Sequence, residues 1–166
     1  MKAAKAHPEG GWFDASKAAS ITGHTFAMLN YLCRTGIIEP TCSCKRGYGR
    51  ARHYSFGDLV ALRLVARLAN IGVSPLKLKE GLRALREQHP EITLQSLPAS
   101  HIVTNGKHLF LREEGDTLER LLDGQLAFAF VVELPLLRDE VAQGIERENQ
   151  HQERLLQTRL RHHRVV

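Results

Sequence analysis

The chain lacks any apolar run near the roughly 20 residues that a membrane span requires, and its opening residues, Met1 to Pro8, contain no apolar signal core. Those absences exclude a helical membrane anchor and give no sign of secretion, so a cytoplasmic location is expected. Cysteine is scarce: three residues, an odd number, all between Cys33 and Cys44. That argues against a disulfide framework and fits a reducing compartment. No nucleophile elbow, phosphate-binding loop or zinc-protease signature occurs, so the chain does not read as an enzyme. Paired acids such as Glu113-Glu114 and Asp139-Glu140 suit loop tips and helix starts better than acid–base work.

What is present is an ordinary globular composition, 43% hydrophobic and 25% charged over 166 residues, enough for a core in one domain or two small ones. The charge is unevenly placed. Residues 1–90 hold 14 Lys and Arg against 6 Asp and Glu, and residues 91–166 hold 9 against 12. The front is basic and the back mildly acidic, a distribution that suits a polyanion-facing front half.

The pattern from Phe13 to Leu85 reads helix, turn, helix, basic hairpin, helix, helix. Asp14 or Ser16 caps a short helix through Ser20, with Ala15, Ala18 and Ala19 giving a small apolar face that lets a second helix approach. Thr22-Gly23-His24 makes the turn. Thr25 caps a helix through Arg34, and Gly36 ends it. Met28, Leu29 and Leu32 share one face; Ala27, Asn30, Tyr31 and Arg34 fall largely on the other. Ile37, Ile38 and Pro40 lead out as an extended piece. Thr41–Ser43 and Arg52–Tyr54 are expected to pair as a hairpin whose tip holds Lys45, Arg46, Tyr48 and Arg50 with two glycines. Ser55 with Asp58 forms a capping box for a helix carrying Leu59, Leu62, Val65, Ala66 and Leu68. Ser74-Pro75 opens a further helix lined by Leu76, Leu78, Leu82 and Leu85.

Beyond Pro90 the pattern changes. Asn105-Gly106 between two β-prone runs, 101–104 and 107–111, is a hairpin signal. A short helix from Asp116 to Leu122, a buried strand over Leu126–Val132, and a helix from Leu136 with the stripe Leu137, Val141 and Ile145 follow. The polar end after Glu146 reads as a frayed helix or mobile tail.

A capped helix beside a basic, glycine-rich wing suits a protein that enters a DNA groove with one part and grips phosphates with another. Several pieces in order carry a family resemblance. Tyr31-Leu32-Cys33-Arg34-Thr35-Gly36-Ile37-Ile38-Glu39-Pro40 is similar to an aromatic-rich helix end followed by Gly-Leu-Leu and proline. Arg52-His53-Tyr54-Ser55 with Asp58-Leu59 is close to Arg-x-Tyr-Ser and Asp-Leu, and Leu68 to Ser74 to a short Leu…Gly…Ser linker. The stretch from Ala15 to Leu85 thus resembles the winged-helix DNA-binding domain of the MerR family of mercury-resistance-type regulators.

The resemblance implies that the helix from Thr25 to Arg34 enters a major groove and that the wing, 41–54, reaches backbone or minor groove. Thr25 and the helix N-terminus would meet phosphate. Asn30 would read an adenine edge, Tyr31 phosphate, and Arg34 phosphate or guanine. Lys45, Arg46, Tyr48, Arg50 and Arg52 would act from the wing, and Tyr54 would grip phosphate by analogy. For Tyr31 and Tyr54 the other reading is half-buried packing; for Arg34 it is interaction with its own helix end.

Two departures stand out. Arginines common on the family's recognition helix are replaced by Ala27 and Asn30. The family's long dimerising helix cannot follow Glu87 directly, because Pro90, Pro98 and the Asn105-Gly106 hairpin intervene.

The expected fold class is therefore α+β, mainly α: a leader at 1–12, a winged helix-turn-helix head at 13–89, a small hairpin/helix/strand module at 90–146 for dimerisation or partner binding, and a polar helical or mobile tail at 147–166. The expected function is a sequence-specific transcriptional regulator binding double-stranded DNA as a homodimer, with the hairpin and the Leu126–Val132 strand as the dimer contact. The alternative is an antitoxin that binds a toxin protein through its back half and autoregulates its operator. No cofactor is expected. Cys33, Cys42, Cys44 and His53 lack common metal-site spacing and read as buried or incidental, so no metal site is assigned.

Overall fold

A computed structural model describes residues 11–41, 52–88, 101–104, 109–112 and 130–163. It is mainly helical with two small antiparallel sheets, as expected for the α+β class.

The first helix, α1 (Ala15–Thr22), starts where the Asp14 carboxylate accepts from the Lys17 amide at 2.9 Å. It ends at Gly23, whose φ of 76° is a left-handed conformation that a side chain would resist. After two residues, α2 (Phe26–Arg34) begins with Thr25 accepting from the Met28 amide. Its end is a full glycine-terminated cap. Gly36 has φ 70°, its amide donates to Cys33 O, and the Ile37 amide reaches back to Leu32 O at 3.1 Å. Ile37 and Leu32 are both buried, which supplies the apolar contact that accompanies this cap.

The same device ends α3 (Phe56–Asn70). There Gly72 has φ 90° and the Val73 amide donates to Leu68 O at 2.9 Å. At its start, Ser55 and Asp58 form the expected capping box. α4 (Pro75–Gln88) opens with Ser74 accepting from the Lys77 amide. Leu78 is buried on it, whereas Leu76, expected on the same face, is 63% exposed. The cause is spacing: two residues on a helix stand about 200° apart, so Leu76 and Leu78 cannot face one core. The side chains of Leu82 and Leu85 lie outside the described set.

A two-residue strand, β1 (Phe13–Asp14), pairs antiparallel with β2 (His53–Tyr54), Phe13 opposite Tyr54. β1 is a partner of β2 that the sequence did not indicate; the expected pairing with Thr41–Ser43 falls largely outside the described residues. Phe13 and Tyr54 are both buried, so the pairing closes the core as well as the backbone bonds. The wing tip, 42–51, lies outside the described residues.

The second sheet has the order β4-β3-β5, with β3 (His101–Thr104) central, β4 (Leu109–Arg112) and β5 (Phe130–Glu133). The two strands of the expected hairpin pair antiparallel, with Thr104 opposite Leu109; residues 105–108, which include Asn105-Gly106, lie outside the described set. β5 is the C-terminal part of the expected buried strand, with Val132 buried and Val131 45% exposed. The helix expected over 116–122 and the strand residues 126–129 lie outside the described set. α4 lies against β4.

β5 runs directly into α5 (Leu134–His163), 30 residues long, or about 45 Å at the α-helical rise. The segment from 147, expected as a polar helical or mobile tail, is helical through His163 and continuous with the rest of α5. The first half of α5 packs on α1 and α3. Leu134, Leu137 and Val141 are buried there and Ile145 is packed at the margin. Gly144 permits the close approach, since a Cβ at that position would stand 3.0 Å from Ile21 Cγ2. Glu140 receives Arg63 Nε at 2.9 Å and Arg67 Nη2 at 2.6 Å. Ser20 donates to Glu148 at 2.8 Å.

Because α5 covers it, α3 buries more than one stripe: Val60, Ala61 and Leu64 join Leu59, Leu62, Val65 and Leu68, while Ala66 is only partly covered.

Candidate nucleic-acid interface

α1, the turn at Gly23 and α2 form a helix-turn-helix. α2 is pinned from inside by Leu29 and Leu32, with Met28 packed at the edge, so its outer face is set by the core. That outer face presents Phe26, Ala27, Asn30 and Arg34, all exposed, as 3.6-residue spacing requires. Arg34 has no hydrogen-bond or ion-pair partner among the described residues. Tyr31 is partly buried and packs against the core, so it stands between its two readings. Thr25 spends its hydroxyl oxygen on the Met28 amide, leaving the other first-turn amides of α2 without intrahelical acceptors.

The described residues that flank the expected wing, Thr41 and Arg52, are both anchored. Thr41 donates to the Asp58 carboxylate through its amide at 2.9 Å and its hydroxyl at 3.0 Å. The Ser55 amide donates to the same carboxylate at 2.8 Å. Asp58 is fully buried, and these donors account for its tolerance of burial. On the other side, Arg52 lies across α2: its Nη1 donates to Asn30 Oδ1 at 2.6 Å. Two residues expected to act from separate parts, the helix and the wing, are thus brought together.

Tyr54 requires a correction. The family resemblance assigned it to phosphate, but its side chain has no exposed surface. Its hydroxyl sits 3.8 Å from Cys33 Sγ. Burial, then the neighbouring Cys33, push its ionisation above the ordinary tyrosine range, with Arg52 pulling the other way. Cys33 is itself raised by burial, against the opposing Tyr54 hydrogen bond and Arg52 charge. Both belong to the inner support of the site. Cross-strand pairing with Phe13 draws Tyr54 inward, and nothing local in Arg-His-Tyr-Ser announces that partner.

No protein-family model matches the chain. It is similar to proteins named uncharacterized HTH-type transcriptional regulators, from Mycobacterium bovis and from two strains of Mycobacterium tuberculosis. Each is 28% identical over 107 residues, 64% of this chain and 46% of the relative. The chain therefore spans about half the length of the curated relatives it matches.

Phe26 is a further surface residue of this face, not among the expected contacts. It is 54% exposed at the first position of α2. An apolar residue on the outer face next to a cap was the available signal, and an exposed aromatic there can meet thymine methyl groups. Lys45, Arg46, Tyr48 and Arg50, with Cys42 and Cys44, lie outside the described residues. Among the described residues no group of three His, Cys, Asp or Glu side chains is arranged to hold a metal, and no helix is long and apolar enough to cross a membrane.

Proposed function

We propose that this protein is a sequence-specific DNA-binding transcriptional regulator with a MerR-like winged helix-turn-helix, acting as a homodimer and carrying no enzymatic activity. The observation that carries this reading is the outer face of α2. Phe26, Asn30 and Arg34 are exposed on a helix fixed from behind, and Arg52 is drawn onto the same face. The names of the relatives support a regulatory, DNA-binding role.

In this reading α2 enters the major groove and its N-terminal amides face phosphate. Lys45, Arg46, Tyr48 and Arg50 extend the contact along the backbone or into the minor groove. Ala27, where family members often carry arginine, leaves the groove face short of charge, so the wing cations supply more of the affinity.

A single small head binds weakly, and two-fold operators are read by dimers. α5 suits the dimer contact better than the sheet edge. Beyond the part seated on the head, Leu155, Leu156 and Leu160 are 51%, 59% and 67% exposed. Leu155 continues the 3–4 spacing of Leu134, Leu137 and Val141 through Glu148 and Gln152, so the seated stripe extends past the head with its leucines exposed.

Titration of randomised duplex with the full chain over a salt series tests the docking. Arg46→Ala with Arg50→Ala should reduce the salt slope by about two counterion units for all duplexes. An unchanged slope removes the wing from the interface.

A further inference from the structure

We propose that Asn30 and Arg52 read a guanine edge together as one all-donor pair, in place of the adenine contact that an isolated Asn30 would make. The inference rests on the docking of α2 proposed above.

Arginine carries only donors, so the Asn30 atom 2.6 Å from Arg52 Nη1 must be the carbonyl oxygen. That fixes the orientation of the amide without further assumption. Asparagine reads adenine by accepting from N6–H through Oδ1 while donating to N7 through Nδ2. Here Oδ1 already receives a charged donor. What Asn30 has left to offer is the Nδ2 amide, two N–H groups, and beside it stand the guanidinium N–H groups of Arg52 used neither on Asn30 nor on the Tyr54 hydroxyl.

The pair therefore presents donors alone. In the major groove guanine shows two acceptors, N7 and O6. Adenine sets an N6 donor beside its N7 acceptor, cytosine shows an N4 donor, and thymine has one acceptor and a methyl group. Two adjacent donors match guanine, and against adenine or cytosine one donor would meet another.

The pair is also held in place. Arg52 is half-buried and immediately precedes β2, which is paired to β1. Asn30 stands on a helix whose opposite face is anchored by Leu29 and Leu32. A guanidinium already fixed in the groove-facing position loses less freedom on binding than one on a free wing.

The test is selection of bound duplexes from a random-sequence pool by the full chain, compared with Asn30→Ala, Asn30→Asp and Arg52→Ala. Asn30 is exposed, and a thermal melt of each variant verifies that the fold survives. The wild-type motif should hold a guanine at one position of each half-site, and Asn30→Ala and Arg52→Ala should relax that same position by about tenfold. Asn30→Asp keeps an acceptor for Arg52 but removes both amide donors, so it should lose guanine there too. An adenine at the relaxed position overturns the proposal. So does a uniform loss of affinity with no position relaxed, which assigns the pair to phosphate. Failure of the wild-type chain to enrich any sequence overturns the DNA-docking reading itself, a result distinct from either.

Discussion

Gly144 of α5 lies against Ile21 of α1 so closely that a Cβ built there would stand 3.0 Å from Ile21 Cγ2 and 3.5 Å from Ile21 O. The contact seats the long helix on the helix-turn-helix head. Replacing glycine by alanine inside a helix gains about 1 kcal/mol of propensity. Crowding against Ile21 opposes that gain, so Gly144→Ala should leave stability within about 1 kcal/mol of wild type. Gly144→Leu has no room and should lower the urea midpoint strongly. Equal midpoints for the two variants would show that α5 is not seated on α1.

Asp58 holds Thr41 to the start of α3. Its fully buried carboxylate accepts from the Thr41 amide and hydroxyl and from the Ser55 amide. Asp58→Ala leaves two backbone donors unpaired and removes half of a capping box. The expected loss is about 2–4 kcal/mol by urea denaturation. A loss under about 1 kcal/mol, within the range of an ordinary cap, would mean that Thr41 is not held as described.

Glu140 joins α5 to α3 through Arg63 and Arg67. All three side chains are partly exposed, so solvent screens the pairs. Glu140→Gln should cost about 1 kcal/mol at low salt and less at high salt. A salt-independent loss would point to packing in place of charge.

His24 lies in the turn of the helix-turn-helix, with Nε2 2.9 Å from Leu62 O. A carbonyl only accepts, so Nε2 carries the proton. Burial lowers the His24 pKa below its ordinary 6.5, the Leu62 bond opposes that shift, and the Arg63 charge adds to it. The unfolded chain therefore takes up the proton at a higher pH than the folded one. Stability from this group is full above the unfolded value and is lost as pH falls through about 6.5 toward the lowered folded value. His24→Gln retains an N–H donor but does not titrate. Unfolding midpoints measured from pH 8 to pH 5 should fall less steeply for the variant; parallel curves would exclude His24 as a source of acid sensitivity.

The exposed leucines of α5 are expected to meet their counterparts on a second copy. Leu156→Glu with Leu160→Glu should halve the mass measured by light scattering, with the helical signal of the head retained. A dimer mass that persists would move the contact to the β4-β3-β5 sheet.

Much of the head was legible in the chain itself. Thr25, Ser55 and Ser74 mark helix starts because a hydroxyl beside a free amide is a local matter. Gly23, Gly36 and Gly72 mark ends because a positive φ excludes most side chains. Leu29 and Leu32 choose the inner face of α2 by spacing alone, and so expose Asn30 and Arg34. These features depend on residues within about one helical turn, and sequence adjacency determines them.

What the tertiary structure decided depends on residues far apart in the chain. Tyr54 is left open between a phosphate contact and packing until Phe13 pairs with it across a strand. Arg52 reads as a wing cation until Asn30, 22 residues away, supplies an acceptor. The stretch after Glu146 reads as a frayed helix or a mobile tail because its neighbour on the head, Ser20, precedes Glu148 by more than a hundred residues. Capping, periodicity and left-handed turns are short-range and were written in the sequence. Which polar atoms meet, and which helix covers which, is set by the packing of the whole chain.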